Sequence, residues 1–172
     1  LSIGAMLHDY GKVDIPFEIL NKPSLLTDEE YSIIKCHTIY GDKYLGDLRF
    51  PGTVRDIVKH HHERIDGNGY PDNLMGDEIH YLVQIVAIAD VYDALTTDRP
   101  YRKALSRETT LSYLKEKGGQ IIEIGLLRKF IAYVRMNEII VKHEELENIW
   151  NTIISEFFRV TDINETADMQ GQ

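Results

Sequence analysis

Apolar residues recur at spacings of three and four along most of the chain, and no segment alternates as a half-buried strand does. This pattern predicts an all-α fold. The predicted helices cover residues 1–7, 28–48, 53–62, 81–95, 107–117, 121–136 and 144–158, and the polar residues 161–172 are predicted to be a disordered tail.

Two of these predicted helices define the expected core. One follows Thr27, which has capping-box spacing to Glu30. Its apolar residues expected near the core are Ile33, Ile34, Tyr44, Leu45 and Leu48. The other, residues 81–95, is apolar on nearly every side and is expected to be the central buried helix.

Composition narrows the class of protein. A chain of 172 residues suits a single domain with one core. Its formal net charge of -9 repels the nucleic-acid backbone, so DNA or RNA binding is not expected. No apolar run reaches the roughly 20 residues of a membrane span. The single cysteine, Cys36, excludes an internal disulfide, and with no secretory signal in the sequence this favours a cytoplasmic location.

Histidines and acids concentrate in the first half of the chain, near predicted helix ends. His8 and Asp9 are adjacent, His37 follows on the next helix, and residues 60–62 are a run of three histidines. Asp90 interrupts the apolar central helix, where a carboxylate is costly to bury unless a cation or another partner compensates its charge.

These features also have simpler interpretations. Asp90 could form a structural salt bridge or a helix cap, His8 and Asp9 could be a surface dipeptide, and the histidine run could be a solvated helix end. Because adjacent helical residues point about 100° apart, His60 is expected to face away from any cluster.

Taken together, the mixture of imidazoles and carboxylates suits Fe, Mn or Zn better than Mg or Ca. Two ions that share a carboxylate can clamp both oxygens of an in-line phosphoryl displacement. The pattern therefore indicates a site for hydrolysing a phosphate ester.

Four motifs, in the same order, resemble those of the HD-GYP group of HD-domain phosphohydrolases. The matching stretches are residues 8–12 (HDYGK), 35–38 (KCHT), 61–63 with 66–71 (HHE and DGNGYP), and 89–95 with 98–102 (ADVYDAL and DRPYR). The resemblance covers roughly residues 1–135 and implies an HD-domain-like helical bundle.

The resemblance implies roles for individual residues. The implied metal ligands are His8, Asp9, His37, His61, His62 and Asp90. Asp9 would bridge two ions, and Lys12 would contact the scissile phosphate or protonate the leaving oxygen, which makes Asp9 and Lys12 the candidate catalytic residues. The implied substrate contacts are Lys12, Tyr70, Asp93, Arg99 and Arg102. The alternatives are a solvated loop position for Lys12, and surface charge or capping of the preceding helix for the two arginines.

The activity that the resemblance implies is hydrolysis of cyclic di-GMP to linear pGpG and in some members on to GMP, with two or three Fe or Mn ions. One alternative is an HD-type phosphohydrolase acting on another nucleotide. Another is a non-catalytic module that binds a cyclic dinucleotide or a protein. A purely structural metal is disfavoured because such zinc sites often use several cysteines.

The resemblance also bears on domain organisation. In the family, one or two helices before the first motif supply a further histidine ligand and, in three-metal members, a glutamate. Since nothing precedes Leu1 here, either those helices are missing or the site is incomplete. We expect residues 1–135 to form the catalytic core and residues 136–160 a C-terminal helix, docked on the core or forming a dimer contact. By analogy, a fused sensor or regulatory domain is an expected partner.

Overall fold

The computed structural model describes residues 1–99 and 102–137. Within these residues the protein is all-α, as predicted, and the only β pairing is two isolated bridges. The helices are α1 (Ser2–Leu7), α2 (Phe17–Leu20), α3 (Asp28–Lys35), α4 (His37–Asp47), α5 (Gly52–His60), α6 (Tyr81–Thr96), α7 (Arg107–Lys117) and α8 (Ile124–Asn137). Short 3-10 helices cover Tyr10–Asp14, Gly76–Glu78 and Gly118–Gln120.

Residues Leu1–Arg135 form one compact unit. The helix predicted for residues 144–158 and the tail predicted for residues 161–172 lie outside the described residues. In the part of the chain that the structure describes, no helix combines the length and apolar character of a membrane span.

The predicted helix after Thr27 begins as expected but is not continuous. Thr27 and Glu30 form the capping box. The prediction that the helix runs on to Leu48 is wrong, because Cys36 separates α3 from α4, with its N–H bonding back to the carbonyl of Ile33. Of the residues expected near the core, Leu45 on α4 is 2% exposed, whereas Ile33 on α3 is 39% exposed, so the prediction is wrong for Ile33.

The prediction that Leu48 lies near the core is also wrong, because its side chain is 66% exposed. Helix α4 ends at Asp47 and Arg49 has a φ of 58°, so the chain turns here, and Phe50 rather than Leu48 packs against the cluster of Leu45, Val54 and Val58.

The other predicted helices match the structure with two corrections. Helix α6 is buried mainly over Val83, Gln84 and residues 86–88, so it is not enclosed on nearly every side along its whole length. The last described helix begins at Ile124 rather than residue 121, because the Glu123 carboxylate accepts the backbone N–H groups of residues 125 and 126 and caps α8.

The core is divided among three apolar clusters. The largest joins α6, α7, α8 and the preceding turn, and consists of Ala87, Ile88, Leu111, Leu114, Ile121, Ile122, Leu126, Leu127, Ile131 and Val134. A second links Ile57 of α5 to Val83 and Val86 of α6. A third joins Leu45 of α4 to Val54 and Val58 of α5. Because α6 packs in the largest cluster as well as against α5, it holds the two ends of the unit together.

Candidate metal centre

The C-terminal ends of α1 and α5 meet the start of α4 and the later part of α6, and their polar side chains converge there. The residues whose ligand atoms all lie within 4.8 Å of one another are Asp9, His37, His61 and His62. His8 and Asp90 adjoin this group, since His8 Nε2 lies 3.4 Å from Asp9 Oδ2 and 3.8 Å from Asp90 Oδ1. The structure therefore brings all six predicted ligands together.

The Asp9 carboxylate lies at the centre and faces two sets of side chains. Its Oδ1 is 3.4 Å from His37 Nε2 and 3.9 Å from His61 Nε2. Its Oδ2 is 3.4 Å from His8 Nε2 and 2.5 Å from Lys12 Nζ. A carboxylate placed in this way can share its two oxygens between two ions.

Asp90 belongs to α6 and borders the cluster on the side of that helix. Its Oδ1 lies 3.8 Å from His8 Nε2, and its Oδ2 lies 3.9 Å from His62 Nδ1. One set of candidate ligands is therefore His8, Asp9 and Asp90, and the other is Asp9, His37, His61 and His62.

Backbone carbonyls orient three of the imidazoles. The Nδ1–H groups of His8, His37 and His61 donate to the carbonyl oxygens three residues earlier, at 2.6, 2.7 and 2.9 Å respectively. Because a carbonyl oxygen only accepts, these bonds place a proton on Nδ1, so the neutral form of each ring has its lone pair on Nε2, which faces the cluster. Metal-ligating histidines are held by the same kind of bond.

Gly11 allows the segment carrying Asp9 and Lys12 to approach α4. A Cβ at this position would collide with the carbonyl oxygen of His37 and lie 2.5 Å from the backbone nitrogen of Gly41. Only glycine fits between the two backbones, so the close packing that holds Asp9 against His37 depends on it.

Burial keeps three histidines neutral. It lowers the pKa of His61 well below its usual value, and the charges of the neighbouring histidines lower it further. The same causes lower the pKa of His62 to about 3, and burial also lowers the pKa of His37. A neutral imidazole is the form that binds metal ions.

His8 and the carboxylates behave differently. Burial disfavours charged His8, but hydrogen bonding to Asp9 and the charge of Asp9 outweigh it and raise the pKa of His8. Burial also opposes the charged form of Asp9, yet His8 and Lys12 lower the pKa of that carboxyl. Burial raises the pKa of Asp90, so an added cation would favour its ionised form.

These residues fit a divalent cation. Asp9 Oδ1 is buried and has no hydrogen-bond partner among the described residues, although it lies beside neutral imidazole nitrogens. Burying a carboxylate oxygen without a partner costs free energy of folding. A cation would remove this cost, because the carboxylate oxygen and the lone pairs of the surrounding imidazoles can all coordinate it. Nitrogen and oxygen donors together suit first-row transition metals.

His60 lies outside the cluster, as predicted. Its Nε2 is 3.0 Å from Asp72 Oδ2, which also lies 2.6 Å from Lys59 Nζ. The adjacent residues His60 and His61 at the end of α5 therefore face different groups, Asp72 and the metal centre respectively.

The predicted substrate contacts differ in how near they lie to the metal centre. Tyr70 stacks on His62, with ring centroids 4.8 Å apart, and burial raises its pKa. Lys12 contacts Asp9. Asp93 is exposed and accepts a hydrogen bond from Thr97. The charge of Arg99 acts on Asp90.

Arg102 is engaged elsewhere. Its guanidinium donates to the carbonyl oxygens of Ala94, Leu95 and Lys103. In this structure it therefore caps the C-terminal end of α6, the alternative raised from the sequence.

Sequence reasoning gave no role to Glu63. Its carboxylate is 1% exposed and accepts the backbone N–H groups of Asp72, at 2.6 Å, and Leu74, at 3.1 Å. It therefore anchors the loop that carries Tyr70. The sequence offered one signal for this role, because Glu63 directly follows the candidate ligands His61 and His62 and precedes a glycine-rich loop.

Comparisons with known proteins agree with this geometry. The family model for the HD domain matches residues 1–123. A cyclic di-GMP phosphodiesterase of Pseudomonas aeruginosa is 42% identical over 133 residues, which are 77% of this chain and 32% of that protein. The 3'3'-cGAMP-specific phosphodiesterase 3 of Vibrio cholerae is 38% identical over 65% of this chain and 24% of its own length.

A solved structure has the same architecture. An HDG"Y"P protein from Bdellovibrio bacteriovorus matches with a TM-score of 0.60 and 25% identity, over 77% of this chain and 42% of that chain. The chain spans about a quarter to a third of the length of the two curated relatives above. The chain belongs to the HD domain family, and its resemblance to the HD-GYP group within that family is confirmed.

Proposed function

We propose that this chain is the catalytic core of a metal-dependent phosphodiesterase that hydrolyses cyclic di-GMP to linear pGpG, GMP or both. The observation that carries the proposal is the Asp9 carboxylate, which has neutral imidazoles on one side and His8 and Asp90 on the other. Several curated relatives 37–42% identical to the chain are named cyclic di-GMP phosphodiesterases, which supports this substrate.

Two divalent ions, Fe or Mn, are the proposed cofactors. His8, Asp9 and Asp90 would hold one ion, and Asp9, His37, His61 and His62 the other. When bound, such ions supply charge stabilisation at the phosphate and activation of the attacking water.

The remaining roles fall to side chains around the cluster. Lys12 is held against Asp9, so its ammonium group provides a positive charge and a proton for the leaving oxygen. Tyr70, stacked on His62, borders the phosphate position. Arg99 and Asp93 lie on the α6 side, and we assign them to substrate contacts. Arg102 would have to leave the end of α6 to join them.

The second candidate substrate is a cyclic dinucleotide that contains adenine. A relative 38% identical to this chain over 112 residues is named a 3'3'-cGAMP-specific phosphodiesterase. The chemistry at the phosphate would be the same for both substrates. The two candidates differ only in their bases, because cyclic di-GMP contains guanine alone and 3'3'-cGAMP also contains adenine.

The proposal also includes a cytoplasmic setting and regulation by a sensor domain. The free thiol of Cys36 supports the first. The family resemblance supports the second.

The test is anaerobic incubation with cyclic di-GMP or 3'3'-cGAMP and Mn²⁺ or Fe²⁺, with the products separated by chromatography. We expect linear dinucleotide or GMP from the wild type and none from Asp9→Asn. The matched control is Asp72→Asn, because Asp72 also contacts a lysine and a histidine but lies outside the cluster.

Asp72→Asn should retain turnover and bound metal. Turnover by Asp9→Asn at the wild-type rate would contradict the proposal. Binding of cyclic dinucleotide without turnover by the metal-loaded wild type would instead support a non-catalytic binding module.

A further inference from the structure

A pocket of about 240 Å³ adjoins the metal centre and has no role in the chemistry described above. Its lining includes His61 and His62, which are also candidate metal ligands, so a ligand in the pocket would lie beside the ions. Pockets that enclose a drug-sized ligand have volumes of roughly 300–1,000 Å³. This pocket is smaller, so it suits one part of a dinucleotide, such as a base.

One wall of the pocket is aromatic. The rings of Tyr70 and His62 stack on each other, and the ring of Tyr31 meets Tyr70 edge-on with centroids 6.4 Å apart. Tyr31 is 46% exposed although it lines the pocket. An exposed ring beside a pocket offers a planar apolar surface, which is the surface on which nucleotide bases stack.

Lys35 stabilises the position of this ring. Its Nζ lies 4.8 Å from the centroid of Tyr31 and 5.7 Å from that of Tyr70. In residues 1–99 and 102–137 no carboxylate forms an ion pair with Lys35. Its charge is therefore directed to the two rings, two residues before the candidate ligand His37.

The pocket also has polar side chains in its lining. Arg64 and Asn68 both line it, and Asp66 organises them by accepting two hydrogen bonds from the Arg64 guanidinium, at 3.1 and 2.8 Å, and one from the Asn68 backbone N–H. Because Asp66 engages Nε and Nη2 of Arg64, the groups that can turn to a base are Arg64 Nη1 and the Asn68 side-chain amide. Guanidinium and amide groups form hydrogen bonds with purine edges. A planar group that enters against Tyr31 would therefore have polar partners at its edge.

We propose that this pocket binds one purine base of the substrate, with the ring of Tyr31 as its stacking surface and Arg64 and Asn68 at its edge. The inference rests on the proposed function, because the base belongs to the nucleotide whose phosphate lies at the metal centre. It assigns a role to Tyr31, which lies outside the four motifs, and to Lys35, which lies in the second motif but was given no role there.

The test is calorimetric titration of the Mn²⁺-loaded protein with GMP, which carries a base, and with inorganic phosphate, which does not. In Tyr31→Ala we expect the Kd for GMP to rise about 5- to 150-fold, the range for loss of one base-stacking contact. The Kd for inorganic phosphate and the bound Mn²⁺ should not change. Tyr31→Phe keeps the ring and should bind GMP like the wild type.

The matched control is Tyr81→Ala, which removes another tyrosine that is 52% exposed but does not line the pocket. It should leave both affinities unchanged. An unchanged Kd for GMP in Tyr31→Ala would overturn the inference, as would a wild type that binds GMP no more tightly than phosphate.

The two proposals fail in different ways. If the wild type hydrolyses cyclic di-GMP but GMP affinity does not depend on Tyr31, only the base pocket is wrong. If GMP affinity depends on Tyr31 but no cyclic dinucleotide is hydrolysed, the base pocket stands and the phosphodiesterase proposal is wrong.

Discussion

The metal centre and the apolar cluster of α6, α7 and α8 lie in one compact unit. Each region has a buried oxygen that finds no hydrogen-bond partner among residues 1–99 and 102–137. In the metal centre it is Asp9 Oδ1, which has imidazole nitrogens 3.4 and 3.9 Å away. In the other region it is Thr110 Oγ1, on the helix that supplies Leu111 and Leu114 to the cluster.

The difference lies in what surrounds each oxygen. Neutral imidazoles and a second carboxylate surround Asp9, so a cation can satisfy its oxygen. In the part of the chain that the structure describes, Thr110 does not belong to such a cluster of imidazoles and carboxylates, so its unpaired hydroxyl lowers stability. The first region is therefore organised for a ligand, whereas the second is organised only for packing. Four predictions test this contrast.

The largest effect should come from two adjacent histidines. His61→Ala removes a ligand atom beside Asp9, so we expect loss of bound metal and a fall in activity greater than the 10- to 100-fold typical of residues that only support ligands. His60→Ala removes the neighbouring imidazole, which contacts Asp72, and should retain metal and activity. Metal analysis measures the bound ions and turnover assays measure the activity of each variant. Equal losses in the two variants would refute the claim that His61 faces the metal centre and His60 faces away from it.

Leu114→Ala should weaken the apolar region alone. The side chain is fully buried, and its truncation should lower the free energy of unfolding by about 2–5 kcal/mol. Denaturant unfolding measures this change. Metal content per folded protein should stay at the wild-type value, and a loss of metal would show that the two regions are not separable.

Adding metal should stabilise the protein through the first region alone. At free Mn²⁺ 100 times its Kd, binding to the native state adds about 2.7 kcal/mol of stability. Thermal unfolding should show this increase for the wild type and for Leu114→Ala. Asp9→Asn should show little of it, and an equal increase in that variant would place the ion elsewhere.

The smallest effect should be a gain. Thr110→Val replaces the unpartnered hydroxyl by a methyl group of similar shape, so we expect stability to rise by up to about 1 kcal/mol, with activity unchanged. Denaturant unfolding of the variant beside the wild type is the measurement. A loss of 1 kcal/mol or more would mean that the hydroxyl has a partner, such as a buried water.

The contrast also explains what could be read from the sequence. Ligand chemistry follows from residue type and motif order, and the six predicted ligands do meet. Helix caps are local, so the capping box of Thr27 and Glu30 was predicted correctly. The angular separation of helical neighbours was enough to predict that His60 faces away.

What the sequence did not reveal depends on tertiary contacts. The break at Cys36 has no proline or glycine to mark it, and the carbonyl of Ile34 that orients His37 lies on the helix before the break. The capping role of Arg102 depends on where the chain after α6 returns. The exposure of Tyr31 beside a pocket depends on how α3 lies against the loop that carries Tyr70.

The most direct test of the central claim is anomalous X-ray diffraction from crystals of the Mn²⁺-loaded protein. We expect two anomalous peaks, separated by the roughly 3.5–4 Å of two-metal sites, with the Asp9 carboxylate between them. One peak should adjoin His8 and Asp90, and the other His37 and His61. Peaks found only at surface groups such as Asp72 and His60, with none at Asp9, would contradict the account.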